Sequence, residues 1–172
     1  MNVTGLPILA TERLTLRQLS IEDQDAILAL RTDLEVNQYL DRAPTKTSND
    51  AINFIKKVNE NIEKGIALYW AITLTETNTF VGTICLFHFA EDKESFEIGY
   101  ELMTKFQRRG IMVEAVLMVI DYAFKTLNVK EILAFSHKDN EPSLKLLSKF
   151  NFVKSSVVDS DNPNLEMFSL KR

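Results

Sequence analysis

The sequence predicts an α+β (mixed α/β) domain, a sheet carrying helices. Three observations predict it. Short alternating or aromatic-rich segments recur along the chain and read as strands. The 49–64 segment carries a helical apolar stripe, and at 107–112 a strand-like segment turns through one glycine into a long apolar helix. At 172 residues, 45% hydrophobic and 26% charged, the chain fits one domain, 1–172, with a substantial core. No repeat, low-complexity stretch or linker interrupts it.

The elements follow in order. Arg13-Leu14-Thr15-Leu16-Arg17 alternates and forms a first strand. A helix over 22–30 is capped by Ser20, with Asp23 three residues later. The polar stretch 34–47, which contains Pro44, is a loop or broken helical turn. The helix over 49–64 puts Ile52, Ile55, Val58 and Ile62 on one face and stops at Gly65. A hairpin joins 66–74 to 79–89 around the polar turn 75–78. A strand over 96–103 enters the glycine turn. The helix over 111–127 is apolar almost all round, with Glu114, Asp121 and Lys125 on a narrow stripe, so it is expected to pack on the sheet. A strand over 129–136, a short helix over 141–150 and strands over 152–158 and 165–170 complete the order.

Several function classes are disfavoured. No apolar run approaches the ~20 residues of a membrane span. The N-terminus lacks a basic-then-apolar leader, so a cytoplasmic protein is expected, with no membrane partner. One cysteine, Cys85, cannot build a disulfide framework, and its strand-like surroundings suit a packed residue better than a nucleophile. A formal net charge of −4 argues against nucleic-acid binding. His88 and His137 are far apart, and no Cys/His cluster has metal-ligand spacing. Tyr69, Trp70, Phe87 and Phe89 fall in hairpin strands and read as core or groove wall.

The stretch Gln107-Arg108-Arg109-Gly110-Ile111-Met112 carries the chemistry. A strand that turns through glycine into a helix leaves the first-turn N–H groups without helical partners. The helix dipole and two arginines then make the turn an anion site suited to a pyrophosphate. The five glycines are too scattered for G-x-G-x-x-G, and G-x-x-x-x-G-K-S/T is absent.

Q-R-R-G-I-M after E-I-G-Y-E-L resembles the Q/R-x-x-G-x-G/A pyrophosphate loop of the GNAT superfamily of N-acetyltransferases. The opening I-L-A-T-E-R-L-T-L-R, the later N-E-P-S and the closing K-F-N-F-V fall in family order and are most similar to the RimJ/RimL-like branch. Met112 departs from the general motif, which has Gly or Ala there; an apolar residue marks this branch. The resemblance implies the GNAT fold, a twisted, mostly antiparallel sheet of about seven strands flanked by about four helices. A V-shaped split between the strand ending at Met103 and the strand from Val129 would hold acetyl-CoA. The pantetheine arm would pair with the backbone of Glu101, Leu102 and Met103, and the pyrophosphate would lie on the N–H groups of Gln107, Arg108, Arg109, Gly110, Ile111 and Met112.

Amine acetylation needs a base for the amine and a donor for the leaving thiolate. Glu97 matches the position where several family members keep a carboxylate base. Glu101 on the same strand face is the alternative, and a water chain could serve either. Asn140 is a natural helix cap, which alone explains it; the resemblance adds contact with the pantetheine arm. Ser143 would lie near the thioester sulfur and donate to the departing thiolate, although a plain surface serine explains it too. Tyr39 and the 34–47 loop would border the acceptor groove. The acceptor implied is a protein or peptide N-terminal α-amine. A polyamine, aminoglycoside or amino acid, or a lapsed acyl-CoA-binding module, are the alternatives. A monomer or homodimer is expected, with acetyl-CoA as cosubstrate and no metal.

Overall fold

The computed structural model describes residues 5–88, 94–158 and 162–172. The described elements run β1 (Leu9–Ala10), β2 (Leu14–Arg17), α1 (Gln24–Thr32), α2 (Leu34–Asn37), α3 (Ser48–Glu63), β3 (Ala67–Leu74), β4 (Thr79–His88) and β5 (Ser95–Leu102). They continue α4 (Ile111–Lys125), β6 (Glu131–His137), α5 (Glu141–Lys149), β7 (Val153–Val158) and β8 (Leu165–Lys171). The sheet order is β1-β2-β3-β4-β5-β6-β8-β7. Pairs β1–β2, β2–β3, β6–β8 and β7–β8 are antiparallel, and β5–β6 is parallel. This is the mixed α+β class that the sequence predicts. The chain divides into two compact units, Met1–Cys85 with Tyr100–Met118, and Leu86–Gly99 with Val119–Arg172.

One element was not expected from pattern, and one alternative left open is decided. β1 is two residues long, too short to show an alternation, and exists through its pairing with Leu16 and Thr15. α2 is the broken helical turn that the 34–47 stretch offered beside a loop. It forms because Asp33 Oδ1 accepts from the N–H groups of Glu35 (2.9 Å) and Val36 (3.0 Å). Phe89 of the hairpin and residues 159–161 of the last loop lie outside the described residues.

In the first unit, α1 and α3 bury Ile27, Leu30, Ala51, Ile55, Val58 and Ile62 against Tyr69, Ala71, Phe80 and Cys85. The 4-3-4 spacing along α3 keeps its buried positions on one face. Each large aliphatic removed from water there contributes about 2 kcal/mol. A capping box starts α3: Asp50 N–H donates to Thr47 Oγ1 at 3.1 Å, and Thr47 N–H donates back to Asp50 Oδ2 at 2.9 Å. Gly65, at φ 66°, ends the helix in the left-handed region. β3 is buried over seven of its eight residues, so it reads as an apolar run and not as an alternation. Before α1, Asp23 takes two bonds of 2.8 Å from the Arg17 guanidinium and one of 2.8 Å from Ser20 N–H. Burial alone would raise this carboxyl, but these donors hold it below the usual carboxylate range.

In the second unit, β6 pairs with β8 from Glu131↔Lys171 to His137↔Leu165. Ile132, Ala134 and Phe168 of this pair are buried, as are Leu147 of α5 and Phe152. Asn128 (φ 57°) and Asn151 (φ 60°) supply the left-handed residue after α4 and α5.

Candidate active site

The glycine turn lies in the first unit. After β5 a 3-10 turn over Thr104–Phe106 leads into the loop that opens α4. Arg108 (φ 61°) and Gly110 (φ 74°) both occupy the left-handed region. Glycine does so freely, whereas an L side chain pays about 1 kcal/mol. Strain of that kind persists where the surroundings fix the backbone, and functional loops are where it collects. The first α-helical bond joins Glu114 N–H to the Gly110 carbonyl at 3.1 Å. The N–H groups of Ile111 and Met112 therefore precede the helical ladder. Ile111 is buried, Met112 is half-buried, and Lys105, Arg108 and Arg109 are exposed. Lys105 Nζ lies 5.1 Å and the Arg109 guanidinium 5.6 Å from the Phe106 ring centre. The loop is thus a basic patch on an acidic chain.

The end of β5 is oriented by its neighbours. Met103 N–H donates to the Val81 carbonyl at 2.9 Å. A Cβ built on Gly82 would stand 2.2 Å from the Glu101 carbonyl oxygen. The backbone of Glu101 and Met103 therefore faces β4, and alternation turns that of Leu102 the other way. Of the three residues expected to pair with pantetheine, Leu102 is the one whose backbone points away from β4. Its carbonyl accepts from Gln107 Nε2 at 3.3 Å, which folds the loop back on the strand.

The Glu101 side chain is committed elsewhere. Its Oε1 lies 2.6 Å from Arg42 Nη2 as an ion pair without hydrogen-bond alignment, and Thr83 Oγ1 donates to Oε2 at 3.5 Å. Arg42 also donates from Nε to Asn37 Oδ1 at 2.9 Å. Arg31 stacks over Phe54 at 4.1 Å and donates to Thr45 Oγ1 at 2.8 Å. Burial, and then Arg42, lower the Arg31 guanidinium. The buried Tyr69 hydroxyl donates to Thr83 at 3.1 Å. Sequence reasoning anticipated neither arginine, because both act through contacts distant in the chain.

Glu97, Asn140 and Ser143 lie in the second unit. β5 pairs with β6 through Ser95↔Glu131, Phe96↔Ile132 and Glu97↔Leu133. Phe96 and Ile98 are buried, so Glu97 takes the opposite face, half-buried, and burial pushes its carboxyl above the usual range. Asn140 caps α5: its Oδ1 accepts from Ser143 N–H at 3.3 Å, with Pro142 in the first turn. Ser143 is half-buried in that turn. The described residues contain no group of three or more potential metal ligands, and no described helix is long and apolar enough to cross a membrane.

Two residues outside the expected set also reach the loop, Arg13 through the Arg109 carbonyl and Glu114 through the Gly110 carbonyl, and Thr11 bonds to Glu114. The T-E-R-L run and the polar stripe of the helix held their signal, but nothing local pairs them.

Residues 13–153 match the family described as acetyltransferase (GNAT) domain, and the chain belongs to that family. It is an N-acetyltransferase. The chain is 35% identical over 151 residues to the uncharacterized N-acetyltransferase p20 of Bacillus licheniformis, covering 87% of this chain and 84% of the relative. Among solved structures it is similar to RimL, a ribosomal L7/L12 alpha-N-protein acetyltransferase in complex with coenzyme A. The TM-score is 0.84 at 18% identity, over 96% of this chain and 98% of that one. It is also similar to the microcin C7 self-immunity acetyltransferase MccE, in complex with acetyl-CoA and AMP. There the TM-score is 0.83 at 17% identity, over 94% of each chain.

Proposed function

We propose that residues 1–172 form a single cytoplasmic catalytic domain that transfers the acetyl group of acetyl-CoA to a primary amine, a protein or peptide N-terminal α-amine. The observation that carries the donor half is the basic loop with two left-handed residues opening α4. The pyrophosphate lies on its N–H groups, from Gln107 to Met112. The pantetheine arm runs along Glu101, Leu102 and Met103, chiefly against Leu102; Asn140 is the further pantetheine contact that the family resemblance implies.

The amine nitrogen attacks the thioester carbonyl and the C–S bond breaks. Glu97 takes the amine proton, directly or through water. Its burial tunes it toward that role. Glu101 is the weaker candidate because Arg42 already holds its carboxylate. Ser143 donates a hydrogen bond to the departing thiolate. Holding amine and thioester in attack geometry supplies much of the remaining acceleration.

Likeness to RimL supports the protein acceptor; likeness to MccE, bound to AMP, supports a small-molecule amine as the second reading. Mass spectrometry after incubation with acetyl-CoA separates them. A peptide panel with free N-termini should gain an acetyl group at the α-amine, and polyamines, aminoglycosides and free amino acids should not. Acetylation confined to the small amines would overturn the protein reading.

A further inference from the structure

Arg13 precedes β2 and Glu114 stands in the first turn of α4, 101 residues later, yet with Thr11 they form one hydrogen-bonded set. Thr11 Oγ1 donates to Glu114 Oε1. Arg13 Nε donates to Glu114 Oε2 at 2.8 Å, with Nη2 against the same oxygen. Arg13 Nη1 donates to the Arg109 carbonyl at 3.4 Å. A Cβ placed on Gly110 would stand 3.7 Å from Arg13 Nη2. The hydroxyl of Thr11 also accepts from the N–H groups of Arg13 (3.2 Å) and Leu14 (3.0 Å), so its own turn is fixed.

In a trans peptide the carbonyl and the following N–H point in opposite directions. A guanidinium that holds the Arg109 carbonyl therefore turns the Gly110 N–H to the other side. Glycine opposes neither orientation, so an outside group has to choose one. The same guanidinium offsets the Glu114 carboxylate, which would otherwise repel a phosphate at the α4 N-terminus.

We propose that Arg13, held by Glu114 and Thr11, is a positioning residue for the donor, fixing the Arg109–Gly110 peptide so that the Gly110 N–H faces the pyrophosphate. The inference rests on the pyrophosphate reading of the 107–112 loop. A donor fixed in advance binds without reorganising.

Calorimetry with CoA and with pantetheine, which lacks the pyrophosphate, tests it without an acceptor. Arg13→Gln should weaken CoA about tenfold and leave pantetheine unchanged. Arg13→Lys keeps the charge but loses the fork, and should stay weak. Unchanged CoA affinity, equal loss of both ligands, or full recovery by Arg13→Lys would each overturn the proposal. If Arg13→Gln does not fold, Arg13→Gln combined with Glu114→Gln leaves no unpaired carboxylate and gives the same readout. Failure of the loop reading itself looks different: the native protein would then bind CoA no more tightly than pantetheine.

Discussion

Glu97 and Glu101 of β5 have opposite surroundings, and under the proposed function that contrast favours Glu97 as the base. Glu101 is paired with Arg42. Glu97 is half-buried, and burial raises its carboxyl above the ordinary glutamate range. As a base it works once ionised, so acetyl transfer should rise with pH through a midpoint above the ordinary glutamate range. Glu97→Gln should remove that limb and lower kcat by about a hundredfold. The stability effect has the other sign. A raised folded-state value contributes stability below the unfolded value and loses it as pH rises through the folded one. At pH 7 the ionised Glu97 therefore destabilises the fold, and Glu97→Gln should melt at the same temperature or higher. A kcat–pH profile with a melting curve checks both; unchanged kcat, or a lowered Tm, would count against the assignment. The sequence placed Glu97 and Glu101 on one face, but could not distinguish them, because the distinction comes from Arg42, 59 positions earlier in the chain than Glu101.

At the scale of elements, legibility followed how local the cause was. Helix α3 was readable because its stripe, its cap and Gly65 are all within the segment. α4 was readable as an apolar helix, and α5 through Asn140 and Pro142. Missed was β1, which exists only through its partner strand, while α2, held by one aspartate, is the broken helical turn that the sequence left open beside a loop. The expected first helix, 22–30, is present as α1, starting two residues later after a 3-10 turn over Ile21–Asp23, since Asp23 is drawn to Arg17 and Ser20. The approach of β5 to β4 at Gly82 was also hidden, since a lone glycine in a strand does not say what it faces. A methyl group there would overlap the Glu101 carbonyl. Gly82→Ala should therefore destabilise the protein by about 3 kcal/mol in urea denaturation, and a change near zero would show that the contact yields easily.

Across the whole molecule, the loop that opens α4 and the turn before it gather Lys105, Arg108 and Arg109 although the chain carries a net charge of −4. Local charge, the start of α4 and the left-handed backbone act together there, and Thr11, Arg13 and Glu114 tie the beginning of the chain to the same loop. Family membership establishes acetyl transfer, while the donor site on these particular residues is proposed. A thermal-shift titration with acetyl-CoA, beside CoA, ATP and NAD, tests it most directly. A ligand at about 100 times its Kd adds about 2.7 kcal/mol of stability. A saturable rise in Tm with acetyl-CoA and CoA and none with NAD is expected; a folded protein that shifts with neither acetyl-CoA nor CoA would overturn the donor site.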